Sequence, residues 1–245
     1  MNRRNFFGST ICASLLGLVV ANAGATPVWA HEVSPIRAYI NVGRGEASTV
    51  VSVRNTRDRN LPIEIVALRR DVAADGSETL VDASAQFLVF PTQFMIARGA
   101  SQSVRIEYVG DRALKQSQSY LIDVREVPVV PEGFTGVFTA YNFGVALYIV
   151  APSVRPQLAV RDIVLKNGKV FFKLANTGGE YAILTRERVT LEFPDGPVEI
   201  TPSDFITRLG SPIVPPNAVR DFIYTPAPGT VLTAAPTAIR IRQIR

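Results

Sequence analysis

The chain has 245 residues, 47% of them hydrophobic, with 26 Lys and Arg against 21 Asp and Glu, one His and one Cys. The formal net charge of +5 is spread along the chain rather than gathered into a run, which argues against a nucleic-acid-binding arm. A single His and a single Cys leave little for His-based catalysis or for a multi-histidine metal site.

Residues 1–30 read as an export leader. Arg3 and Arg4 supply a positive start, an apolar run follows over 11–21, and Val28-Trp29-Ala30 offers an A-x-A-like cleavage site after Ala30. Ser14 interrupts the run, which is shorter than the roughly 20 residues a membrane-spanning helix needs, so no stable membrane insertion is expected. The order Arg3-Arg4-Asn5-Phe6-Phe7 fits a twin-arginine signal as well as the plain positive end of a general leader, and both export routes stay open. Cleavage removes Cys12, Trp29 and two arginines. It leaves 215 residues (245 less 30) with no thiol and a charge of +3 (5 less 2). That length can fold on burial alone, without the disulfides that small exported domains use.

Strand patterns then follow nearly everywhere. Pro35 to Val42, Ala47 to Val53 and Ile63 to Leu68 are short, rich in β-branched residues and bounded by Gly, Asn, Asp or Pro. Between the first two, Gly43-Arg44-Gly45 lacks the third glycine and following helix of a nucleotide loop and reads as a strand-to-strand turn. Residues 87–128 read as three consecutive strands, with Val104 to Val109 and Tyr120 to Val127 continuing the rhythm, and a long apolar strand closes the first half at Val150. Pro152 and Pro156 flank a break at 151–156, separating a domain over 31–152 from one over 156–245. The second half restarts with Leu158 to Leu165, an Asn167-Gly168 hairpin turn, Val170 to Leu174, and later Val219 to Tyr224 and Ala238 to Ile244. Turn signals every 8–12 residues or so, with no sustained 3.6-residue period, predict an all-β protein of two immunoglobulin-like β-sandwich domains in tandem.

No catalytic set emerges. His31, the expected mature amino terminus, could chelate copper through its amino group and ring. The second His of such a site is absent, however, and Met95 is the only Met beyond the leader, so no metal and no cofactor is expected. The carboxylate pairs Asp71 with Asp75 and Glu126 with Glu132 sit beside turns and read as solvated charges. The chain is not read as an enzyme.

Phe87, Pro91, Gly99, Gln102, Val104 and Arg105, followed by Tyr120 and Arg125-Glu126-Val127-Pro128, carry the most distinctive spacing. This stretch resembles the signature of the PapD-like periplasmic pilus (fimbrial) chaperones. The resemblance covers nearly all of the mature chain. It is strong in the first domain and looser in the second, where 174–184 and 213–222 look like corresponding strands. It implies a non-catalytic periplasmic protein that holds pilus or fimbrial subunits by lending them a β-strand and hands them to an outer-membrane usher. Whether such a chaperone caps itself as a dimer is left open. Ile36-Arg37-Ala38 resembles the family's first strand, and the resemblance implies that Arg37 anchors the subunit's terminal carboxylate; alone, it would read as an ordinary exposed strand arginine. The family's second basic anchor is best matched by Asn142, an amide that donates a hydrogen bond without charge. Ala151 likewise stands where many members carry an arginine that fixes the two domains. The donor strand is expected within Val137 to Val150, with Val137, Phe138, Ala140, Val145, Leu147 and Ile149 as candidate donor residues. The outward parity is open, since one bulge reverses it, and part of this run also reads as a buried central strand. The alternative is a β-sandwich module that binds carbohydrate or another surface ligand. Exposed aromatics in a groove would favour it, whereas Phe87, Phe90, Phe94, Tyr108 and Tyr120 stand at core-like alternating positions.

Overall fold

The computed structural model describes residues 31–129, 133, 135–137 and 139–243, with Gln243 described by its backbone alone. The first ten strands are β1 (Glu32–Ser34), β2 (Arg37–Asn41), β3 (Ser48–Arg54), β4 (Leu61–Val72), β5 (Glu78–Asp82), β6 (Phe87–Phe90), β7 (Gln93–Ile96), β8 (Ser101–Tyr108), β9 (Gln118–Glu126) and β10 (Asn142–Val150). They form two facing sheets, ordered β1-β3-β8-β6 and β2-β10-β9-β4-β5, with β7 also paired to β4. The chain passes from one sheet to the other around Pro35: β1 runs antiparallel to β3, while β2 runs parallel to β10.

Period-two alternation builds the core between these sheets. Leu61, Ile63, Ile65 and Ala67 on β4, Val104, Ile106 and Tyr108 on β8, and Tyr120, Ile122 and Val124 on β9 all point inward. Each fully buried aliphatic side chain contributes about 1.5–3 kcal/mol. Phe87 packs edge-on against Tyr120 at 4.8 Å, and the Tyr120 hydroxyl donates to the Gln86 and Gln118 side-chain oxygens. At the end of β3, fully buried Asn55 donates to the carbonyls of Arg59 and Ile96 and accepts from the Arg57 amide, tying the β3–β4 loop to the end of β7.

Residues 151–157 lead into a second set: β11 (Leu158–Lys166), β12 (Lys169–Asn176), β13 (Ala182–Ile183), β14 (Glu187–Phe193), β15 (Gly196–Ile200), β16 (Ile213–Val214), β17 (Ala218–Tyr224) and β18 (Ala238–Gln243). Sheets β11-β12-β17 and β15-β14-β18, with the short pair β13-β16, enclose a separate core that includes Val170, Phe172, Leu174, Val189, Leu191 and Phe222. The fold is therefore all-β, two immunoglobulin-like sandwiches in tandem, as the strand rhythm predicts. Asn167 and Gly168 both take left-handed backbone angles, φ 51° and 72°, in the two-residue turn that joins β11 to β12. Asn176 repeats the role of Asn55 at the end of β12, accepting from the Gln157 and Gly178 amides and donating to the Glu180 and Pro215 carbonyls.

Local expectations need correcting in several places. The stretches 174–184 and 213–222 are not single strands: β12 ends at Asn176, and Pro215 and Pro216 separate β16 from β17. A proline lacks the amide that would continue a ladder. The last strand of the first sandwich begins only at Asn142. Phe90 is not core; it lies 79% exposed on the outer face of its sheet, across from Arg105.

Candidate functional site: an open strand edge beside a cleft between the sandwiches

β10 is paired to β9 from Asn142 to Ile149, but on its other side β2 covers only Ala146 to Val150. Among the described residues nothing pairs with Asn142 to Val145 on that side. The Ala146 amide donates to the Ile36 carbonyl. By strand alternation, the amides and carbonyls of Asn142 and Gly144 point the same way, into the uncovered edge. Gly144 packs closely against β9, and a Cβ there would come within 2.5 Å of Leu121 Cδ1 and displace that side chain. The edge therefore ends in two residues whose backbone groups are free to accept another strand.

Arg37 marks where this edge meets the covered part of β10, since its register partner is Ala146. Its side chain is exposed and makes no hydrogen bond or ion pair among the described residues. Tyr39, two residues on and facing the same way, stacks on Tyr148 at 5.5 Å. The Tyr148 hydroxyl accepts from Arg70 Nη2 at 2.8 Å, and Tyr148 meets Tyr181 of the second sandwich edge-on at 5.5 Å. Arg186, also from the second sandwich, donates to the Tyr39 hydroxyl at 2.7 Å. Tyr39, Tyr148, Tyr181 and Arg186 line a cleft of about 260 Å³ between the two sandwiches, together with Glu180 and Glu187. Burial raises the pKa of Tyr148, against the opposing charges of Arg70 and Arg37, and pushes Tyr181 up to about 12. Both phenols therefore stay neutral donors near pH 7. Arg186 and the phenols thus share this cleft with two carboxylates, whereas Arg37, exposed and unpaired among the described residues, suits an anion such as a carboxylate.

Solved structures with this architecture include the class 5 fimbriae chaperone CfaA (15% identity, TM-score 0.56, covering 88% of this chain and 100% of that one). The E. coli chaperone DraB is similar (17%, 0.56, 89% and 98%), as is a chain from the complex of the Salmonella enterica SafA pilin with the SafB chaperone (18%, 0.55, 90% and 99%). The chain has the fold of the fimbrial chaperones. No family model and no curated protein matches the sequence.

On this fimbrial-chaperone fold the expected site residues scatter. Arg37 stands exposed at the open edge, and Asn142 does not join it. Asn142 precedes Arg37's partner Ala146 by four residues, about 13 Å along a strand, so the two do not converge on one carboxylate. Tyr148 and Arg186 line the neighbouring cleft. Tyr39 was legible as the residue that shares Arg37's face; Arg186 carries no local signal, because it reaches the cleft from the turn before β14. Val145, Leu147 and Ile149 must be withdrawn as donor residues: at 0–1% exposure they fill the first sandwich's own core. Val137 is 93% exposed and Ala140 is also exposed, while Phe138 lies outside the described residues.

Glu126 is not a solvated charge. It is buried, with Arg57 Nη2 at 2.7 Å, and its second role is to accept the Tyr141 amide at 3.0 Å, which anchors the start of β10. Glu132 lies outside the described residues. Asp71 is ion-paired with Arg69, and Asp75 caps its own turn through Ser77, so these two carboxylates do not form a pair.

Proposed function

We propose that this protein is a periplasmic, non-catalytic chaperone that captures pilus or fimbrial subunits by strand addition and delivers them to an outer-membrane usher. The observation that carries the reading is the uncovered edge at Asn142 and Gly144, beside the uncommitted Arg37. A subunit lacking a strand exposes an apolar groove and unpaired backbone, an aggregation hazard that an added strand relieves. In this reading the 31–152 sandwich is the capturing domain, with residues 156–245 forming the far wall of the cleft. The leader directs export and is then cleaved after Ala30. The donor residues lie before Asn142, with Val137, Phe138 and Ala140 the candidates that remain. The subunit's terminal carboxylate sits at Arg37, and Tyr148, polarised by Arg70, takes the place expected of a second cation. The SafA–SafB complex, a pilin held by a chaperone of this fold, supports the reading.

Co-purification from the periplasm of a piliated host, with mass spectrometry of whatever travels with the tagged chain, tests it. The wild-type protein should carry a pilus subunit. Arg37→Ala should weaken that capture by about 2–5 kcal/mol, the usual cost of removing one partner from a buried charged pair. Asn142→Arg should leave it unchanged. Near-native capture by a folded Arg37→Ala protein would place the carboxylate elsewhere.

A further inference from the structure

Arg220 on β17 is only 1% exposed and has no carboxylate within 4 Å among the described residues. Three backbone carbonyls hold its guanidinium instead. Nη1 donates to Ile213 and Nη2 reaches Ser211 at 3.5 Å, both in the second sandwich. Nε donates at 3.0 Å to Ala74, in the turn between β4 and β5 of the first sandwich. The same Ala74 carbonyl also accepts the Asp221 amide at 2.8 Å. The turn is shaped to receive this contact. Asp75 Oδ1 accepts the Ser77 amide, and Gly76, at φ 91°, lies so close that a Cβ would stand 2.3 Å from Arg220 Nη2. Burial lowers the Arg220 pKa, and Asp75, Glu78 and Asp221 oppose that shift from a distance.

We infer that Arg220 is a positioning residue: together with the β4–β5 turn it forms a latch that sets the angle between the two sandwiches and so the width of the cleft beside Arg37. The place where an interdomain arginine was expected is filled by Ala151, buried and bonded through its amide to Ser117 Oγ. The arginine comes instead from the opposite sandwich. Its latch lies away from the Tyr39–Arg186 contact, and the bonds from the Ser117 amide to the Gly179 carbonyl and from Asn217 to Gln116 also cross between the sandwiches. An isolated cleft contact would allow rocking; contacts at separate points do not.

The latch's role in capture rests on the function proposed above, but its geometry can be measured with no client present, so the two ideas fail separately. Spin labels at the exposed positions Arg98→Cys and Lys166→Cys, in the full chain carrying Cys12→Ser, report the distance between sandwiches by double electron–electron resonance. The parent protein should give one narrow distribution. Arg220→Met should at least double its width. Gly76→Ala, which pushes on the same guanidinium from the other sandwich, should broaden it likewise, and it decides the case if Arg220→Met does not fold. Parent-like distributions in a folded Gly76→Ala protein, or in a folded Arg220→Met protein, would overturn the latch.

Discussion

His31 packs edge-on against Phe143 at 4.5 Å, and neither ring nitrogen has a hydrogen-bond partner among the described residues. Burial first, and then the charge of Arg57, lowers its pKa from the ordinary 6.5 to about 4. The folded state therefore resists the proton that the unfolded chain accepts. Stability from this residue is fully present above pH 6.5 and falls as the pH drops toward 4, by about 2–3 kcal/mol at pH 4.5. His31→Phe should remove that pH dependence, so the denaturation midpoint of the variant should gain on that of the wild-type protein as the solution is acidified. An equal acid sensitivity in both would place the titration elsewhere. The sequence singles out His31 as the one imidazole. What it lacks is the partner: Phe143 is more than a hundred residues away, and only the sheet brings the two rings together. Arg37 stood out only through the family resemblance, since by itself its strand shows an ordinary exposed arginine.

At the scale of elements, β9 and β10 are held at the working end by Glu126, which pairs with Arg57 and accepts the Tyr141 amide just before the open edge. Glu126→Gln leaves the Arg57 charge buried without its partner. The expected cost is about 3–5 kcal/mol of stability by denaturant unfolding. Faster amide exchange should appear first around Tyr141, and uniform loosening of the whole sandwich would contradict the local role. Strands whose residues alternate cleanly between core and surface were readable in advance: β2, β3, β8, β9 and β12 fall within a few residues of expectation. β5 escaped because all five of its residues are exposed, so no apolar face marks it. β15 escaped because it opens on Gly196-Pro197, a turn signal in any reading of sequence alone. Three of the six candidate donor residues failed by parity. Alternation groups Val145, Leu147 and Ile149 as one face, but only the packed sandwich shows that this face is the core.

For the whole molecule, two sandwiches could be read from turn spacing and from the prolines at 152 and 156. Their mutual arrangement could not. It depends on contacts such as Arg186 with Tyr39 and Arg220 with Ala74, which join positions nearly 150 residues apart and leave no periodic trace. The same holds for the cleft, whose lining side chains come from β2, β10, β13 and the turn before β14. The central claim is that the backbone at Asn142 and Gly144 receives a client strand, and hydrogen–deuterium exchange on the free chain and on the subunit complex recovered from the periplasm tests it most directly. The account predicts that the amides of Asn142 and Gly144, fast in the free chain, slow at least tenfold in the complex, with protection extending upstream toward Val137. Unchanged exchange at these two amides, with new protection confined to the second sandwich, would contradict it.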